Sequence, residues 1–268
     1  LGEKYAVRTK ETGAGYIFPH GPLLVYIFMP FTLFSENTAY HIWFVLTIIF
    51  MLISMGLLSI FFKDKALYWL LISILVFFSY PLRLILEKGN NDILIMFYIY
   101  MCVYIWLKKR NNILIGLLIS VAVLTKLYPL IFLLYFVLKK EWRIAGWTMF
   151  FCAVLGAISY YRLSISDHFA SLLRISQTVH CQPGMLNHSL GSFVGLVFGY
   201  LGRRFSSLAF LISIWRPVSL IILSALYLPV LILIWKNNSR SPKIILKEIS
   251  LVFILASFTN MTSYDYRL

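Results

Sequence analysis

The sequence predicts an all-α, polytopic integral membrane protein with about eight transmembrane crossings. Three observations predict it. Of 268 residues, 60% are hydrophobic and only 13% charged, about half the charged share of an ordinary soluble domain. The apolar residues come in long runs, 43–62, 93–107, 144–160 and 218–235, each near the roughly 20 residues that cross a bilayer. The net charge is +14, and half of the 24 basic residues sit in short loops between those runs. Membrane topology imposes that placement, so the charge does not point to nucleic acid.

The elements follow in order. Leu1 is not an initiator methionine and a polar motif is beginning where Leu268 stops, so the chain is expected to be one domain, 1–268, cut at both ends. A first helix is expected over 19–34, re-entrant or lying along the outer surface. The run 43–62 then leads to Lys63 and Lys65. Together with 108–110 (Lys, Lys, Arg), with Lys139, Lys140 and Arg143, and with Lys236, Arg240, Lys243 and Lys247, these form four basic loops. The positive-inside tendency assigns all four to the cytoplasm. The segment 112–138 joins two of them and must therefore cross twice. At its middle stands Thr125-Lys126-Leu127-Tyr128-Pro129. Proline cannot continue the backbone ladder and disfavours helix at the residue before it, so two short helices are expected to meet there, with Lys126 lining a cavity or, on the plainer reading, snorkelling to the outer interface. The outer loop is 161–206, with Arg162, Arg174, Arg203 and Arg204. Cys102 and Cys152 fall in apolar runs and Cys181 in the outer loop, a pattern with neither a disulfide framework nor metal-ligand spacing.

In this topology the polar clusters gather on one face. Tyr16-Ile17-Phe18-Pro19-His20-Gly21-Pro22, Gly89-Asn90-Asn91-Asp92, Lys126 with Tyr128-Pro129, Asn187-His188-Ser189-Leu190 and Ser263-Tyr264-Asp265-Tyr266-Arg267 all land outside. Polar groups beside a bilayer cost free energy unless they bind something, so the asymmetry suits a site at the outer surface.

The run from Gly89-Asn90-Asn91-Asp92 to Leu124-Thr125-Lys126-Leu127-Tyr128-Pro129-Leu130, closed by Lys139-Lys140-Glu141-Trp142-Arg143, resembles glycosyltransferase family 87. Pro19 and Pro22 resemble its aromatic-Pro-Pro stretch and Asn187-His188-Ser189-Leu190 its Asn-Gln-Ser-Leu. The sequence departs from the family's pattern at Gly-Asn-Asn-Asp, at His20 and at Asp265, which stands near the family's histidine. The resemblance implies a GT-C-like transmembrane fold and transfer of a hexose such as mannose. The implied donor is a polyprenyl-phosphate sugar, the acceptor a glycan or glycolipid, and the place the outer face of the plasma (inner) membrane. It also implies that the general-base aspartate lies upstream of Leu1. No cofactor, metal or nucleic acid is expected.

The chemistry assigns roles beside the resemblance. Donor departure as a phosphate anion needs cations at headgroup depth, for which Lys126 and Arg174 are the candidates, although loop arginines also serve as lipid-headgroup contacts. Asn90, Asn91, Asp92, Asn187, His188, His20 and Asp265 are candidate sugar ligands, with helix capping the competing reading for Asn91 and Asp92. Tyr16, Tyr128 and Tyr264 either stack on sugar rings or belong to the aromatic belt. The reading from another class is a transporter or flippase of lipid-linked sugar, whose cavity also needs a lysine and broken helices. Against it, the chain has no second Thr-Lys-any-Tyr-Pro break.

Overall fold

The computed structural model describes residues 23–78, 86, 91–108, 111–161, 190–237, 239 and 241–259. Among the described residues there are ten α-helices and no strand. They are α1 (Leu23–Phe28), α2 (Glu36–Ser59), α3 (Lys65–Phe78), α4 (Asp92–Lys108), α5 (Asn112–Thr125), α6 (Leu130–Leu138), α7 (Trp142–Tyr160), α8 (Leu190–Arg204), α9 (Leu211–Lys236) and α10 (Pro242–Thr259). One 3₁₀ turn, Met29–Leu33, continues α1, and another, Ser206–Leu208, joins α8 to α9.

Among the described residues, three helical segments are long and apolar enough to cross a membrane: Glu36–Ser59, Trp142–Tyr160 and Pro217–Lys236. Within their most apolar windows only 22%, 22% and 17% of residues are buried in the protein. A water-soluble chain could not leave such stretches uncovered, and several large aliphatic residues on α9, among them Leu220, Ile221 and Leu233, are exposed. The expected count of about eight crossings is not reached by this criterion, because α4, α5 and α6 have 17, 14 and 9 residues and α10 carries Lys243, Lys247 and Glu248. Hydroxyls inside the helices are satisfied locally: Thr47, Ser54, Thr125, Thr148 and Ser159 each donate to the carbonyl four residues back, at 2.6–2.9 Å.

The core lies where α4, α5, α6 and α10 meet. Ile95, Ile99, Ile115, Ile119, Phe132 and Phe136 are fully enclosed there, with the Trp106 ring set edge-on to Tyr135 and Phe136 at 5.9 and 5.0 Å. Short connections make α4, α5, α6 and α7 run alternately up and down. This brings the C-termini of α4 and α6 to the same end as the N-termini of α5 and α7, and the Lys139 Nζ bond to the Asn237 carbonyl, 2.6 Å, adds the end of α9. The described residues that flank three of the four basic loops therefore lie at one end of the bundle.

The tightest approach is between α5 and α7. A Cβ on Gly116 would lie 2.6 Å from Trp147 Cβ and 2.9 Å from the Thr148 backbone nitrogen, neither of which can move without its helix. Gly116→Ala is therefore expected to lower stability by about 1–3 kcal/mol, the usual range for overpacking, read as a lower thermal midpoint in detergent. An unchanged midpoint would show that the two helices separate freely.

The end of α6 is a Schellman turn: Glu141 N–H bonds the Phe136 carbonyl at 2.9 Å and Lys140 N–H the Val137 carbonyl at 3.0 Å. The left-handed position of such a turn favours glycine, yet Lys140 occupies it with φ 57°.

Candidate functional site at the helix break

The segment 112–138 is two helices, as its proline predicts. Residue 126 leaves the helix with φ −146° and ψ 148°, while its N–H still closes the last turn of α5 on the Ala122 carbonyl, 3.0 Å. Leu127, Tyr128 and Pro129 then make a tight turn, their carbonyls accepting from Leu130, Ile131 and Phe132 at 2.9–3.2 Å, and Pro129 opens α6 with φ −61°.

The turn faces the start of α4. Lys126 Nζ lies 2.7 Å from Asp92 Oδ1, the two side chains 12% and 21% exposed. Tyr128 OH donates to the same oxygen at 3.4 Å. Burial, and then the Asp92 carboxylate, hold the Tyr128 phenol well above its ordinary pKa, so it remains a donor. Asp92 sits in the first turn of α4, where a negative charge also complements the helix dipole.

Asn91 completes the cluster. Its carbonyl accepts from Ile95 N–H at 3.2 Å, but its side-chain amide is buried with neither Oδ1 nor Nδ2 bonded among the described residues. The capping reading thus fails for the Asn91 side chain. A buried amide left without partners costs about 1–3 kcal/mol, so a site that keeps one is suited to a ligand that satisfies it.

Four sequence candidates from two motifs, Asn91, Asp92, Lys126 and Tyr128, accordingly meet at one end of the bundle. Tyr16, His20, Asn90, Arg174, Asn187, His188, Tyr264 and Asp265 lie outside the described residues. Tyr26, on α1, reaches the same end by donating to the Ser159 carbonyl at the close of α7, 3.2 Å. One expectation changes: Lys126 does not simply line a cavity, because Asp92 fixes its ammonium.

A second polar cluster escaped the sequence reading. Lys139, expected as a loop charge, is buried with Glu248: Nζ lies 2.7 Å from Oε2 and 2.8 Å from Oε1, the side chains 6% and 8% exposed. Tyr135 OH donates to Oε2 at 2.9 Å and Asn237 Nδ2 to Oε1 at 2.9 Å. The pair is neutral overall and its carboxylate is fully bonded, which suits a structural clamp between α6, α9 and α10. The available signal was an acidic residue, Glu248, inside the apolar stretch that follows a basic loop.

A family model for glycosyltransferase family 87 matches residues 18–258, nearly the whole chain and all four residues of the cluster at the break. No curated protein and no solved structure matches. That match takes in the helix break, and over so much of the sequence it shows that the chain belongs to glycosyltransferase family 87.

Proposed function

We propose that the protein is a GT-C-type hexosyltransferase that moves a mannose-like sugar from a polyprenyl-phosphate donor to a glycan or glycolipid at the outer face of the plasma membrane. The observation that carries this reading is the meeting of Lys126, Asp92, Tyr128 and the unsatisfied Asn91 amide at a helix break in a chain of this family. The acceptor hydroxyl attacks the anomeric carbon as the bond from that carbon to the phosphate oxygen breaks. Polyprenyl phosphate leaves with the bonding pair. The Lys126 ammonium, oriented by Asp92, meets the charge that develops on the phosphate, and Tyr128 and Asn91 hold sugar hydroxyls. The acceptor proton passes to a carboxylate outside this chain's described residues.

The test is transfer by the complete purified protein in lipid vesicles, with radiolabelled polyprenyl-phosphate mannose and, separately, nucleotide-activated mannose as donors. Transfer from the lipid donor alone supports the reading. Movement of the lipid-linked sugar between leaflets without transfer would overturn it in favour of a transporter.

Asn91 gives a sharper expectation. Asn91→Leu removes the buried amide, so it should raise stability by up to about 1–3 kcal/mol, the desolvation cost of such a group, while raising KM. A lower thermal midpoint with unchanged KM would make Asn91 a structural residue.

A further inference from the structure

At the end of the bundle opposite the helix break, a cavity of about 480 Å³ is lined by residues that include Trp106, Asn112, Lys140, Trp142, Arg143 and Pro242. We infer that it binds the phosphate headgroup of an anionic membrane lipid, at a site distinct from the proposed transfer site. The separation follows from α4, which carries Asp92 at one end and Trp106 near the other. Its 17 residues span about 25 Å at the helical rise.

Four features of the cavity point to a phosphate. Among the described lining residues, Lys140 and Arg143 supply two cations against the one carboxylate of Glu141. Arginine pairs phosphate oxygens through a planar fork, and lysine meets them as a point charge. Asn112, Trp142 and Pro242 are the first residues of α5, α7 and α10, so three helices of 14, 19 and 18 residues begin on the same cavity. Of these, α7 receives no side-chain cap from Glu141, and its N-terminal partial positive charge adds to that of the side chains. The neighbouring Lys139 is committed to Glu248, whereas Lys140, next in sequence, is exposed at the cavity.

Lys140 also has an unusual backbone conformation. It stands at φ 57°, in a turn position that glycine fills without strain. A side chain held there against that preference agrees with the proposed phosphate contact.

The cavity's place selects a lipid over a free anion. Trp142 is both a wall of the cavity and the first residue of a helix long and apolar enough to cross a membrane. It is 64% exposed, as an interfacial tryptophan is. The cations therefore sit at headgroup depth, where basic pockets between transmembrane helices take anionic lipids.

The experiment titrates the complete protein, in neutral detergent, with phosphatidylglycerol, phosphatidylcholine or inorganic phosphate and follows the thermal midpoint, from which an apparent Kd is read. Phosphatidylglycerol is expected to raise the midpoint saturably, with the other two ineffective. In Lys140→Gly/Arg143→Gln the apparent Kd for phosphatidylglycerol should rise about tenfold or more, the loss expected for charge-assisted contacts. Lys140→Gly alone should weaken binding while leaving the unliganded midpoint equal or higher, because glycine relaxes the turn. That combination excludes damage to the fold as the cause. An unchanged Kd in the double variant overturns the site. An equal response to phosphatidylcholine overturns the anionic headgroup, and equal protection by inorganic phosphate overturns the lipid as its source.

Discussion

Replacing Lys126 with alanine is expected to lower transfer from a polyprenyl-phosphate hexose by about 100- to 1,000-fold, the range seen when one preorganised electrostatic donor is removed from a developing negative charge. Lys126→Arg should recover part of that loss, since it keeps the charge but not the shape of the ammonium. The ion pair with Asp92 offers a competing cause, because Lys126→Ala also leaves a half-buried carboxylate without its partner. The double variant Asp92→Leu/Lys126→Met separates the two. It removes both charges and fills their space, so a purely structural pair would be dispensable and activity would return. Under the proposed mechanism the double variant folds and stays inactive. Full transfer by it in a reconstituted assay would take Lys126 out of the chemistry.

The largest expected effect on stability is at the other end of α6. Glu248→Gln leaves the Lys139 ammonium buried beside a neutral amide, and breaking a buried pair from one side costs about 3–5 kcal/mol at a site where both side chains are less than a tenth exposed. A steep fall in the thermal midpoint and in the yield of folded protein should follow. Lys139→Met/Glu248→Leu should restore most of it, since a well-packed apolar pair of similar volume is often neutral or better. If Glu248→Gln unfolds at the wild-type temperature, Lys139 is being solvated by another route and the clamp is not structural.

The two clusters show what the sequence could and could not disclose. The break was legible because its cause is local: Pro129 forbids helix just before itself, and Thr125-Lys126 places a charge at the same point. Asn91 and Asp92 were legible as a polar pair before an apolar run, but capping and ligand binding predict the same residues there. Only the bonding of each side chain distinguishes them. The Lys139–Glu248 pair joins residues 109 apart in the chain. Charge patterning treats a lysine beside Lys140 and Arg143 as one more topological charge, and nothing local marks it as buried. The crossing count stayed an expectation because helix length decides it, and the break cuts 112–138 into pieces of 14 and 9 residues.

Those short pieces also bear on the surrounding lipid. Leu127, Leu130 and Leu134 leave an exposed apolar stripe beside the break, along α6. A helix of nine residues covers only about 14 Å of a hydrocarbon layer roughly 30 Å thick. A bilayer beside so short a helix accommodates it by thinning locally, at a cost of fractions of a kcal/mol per Å. Under the proposed function, such thinning beside Lys126 shortens the descent that a lipid-borne phosphate makes to reach the ammonium.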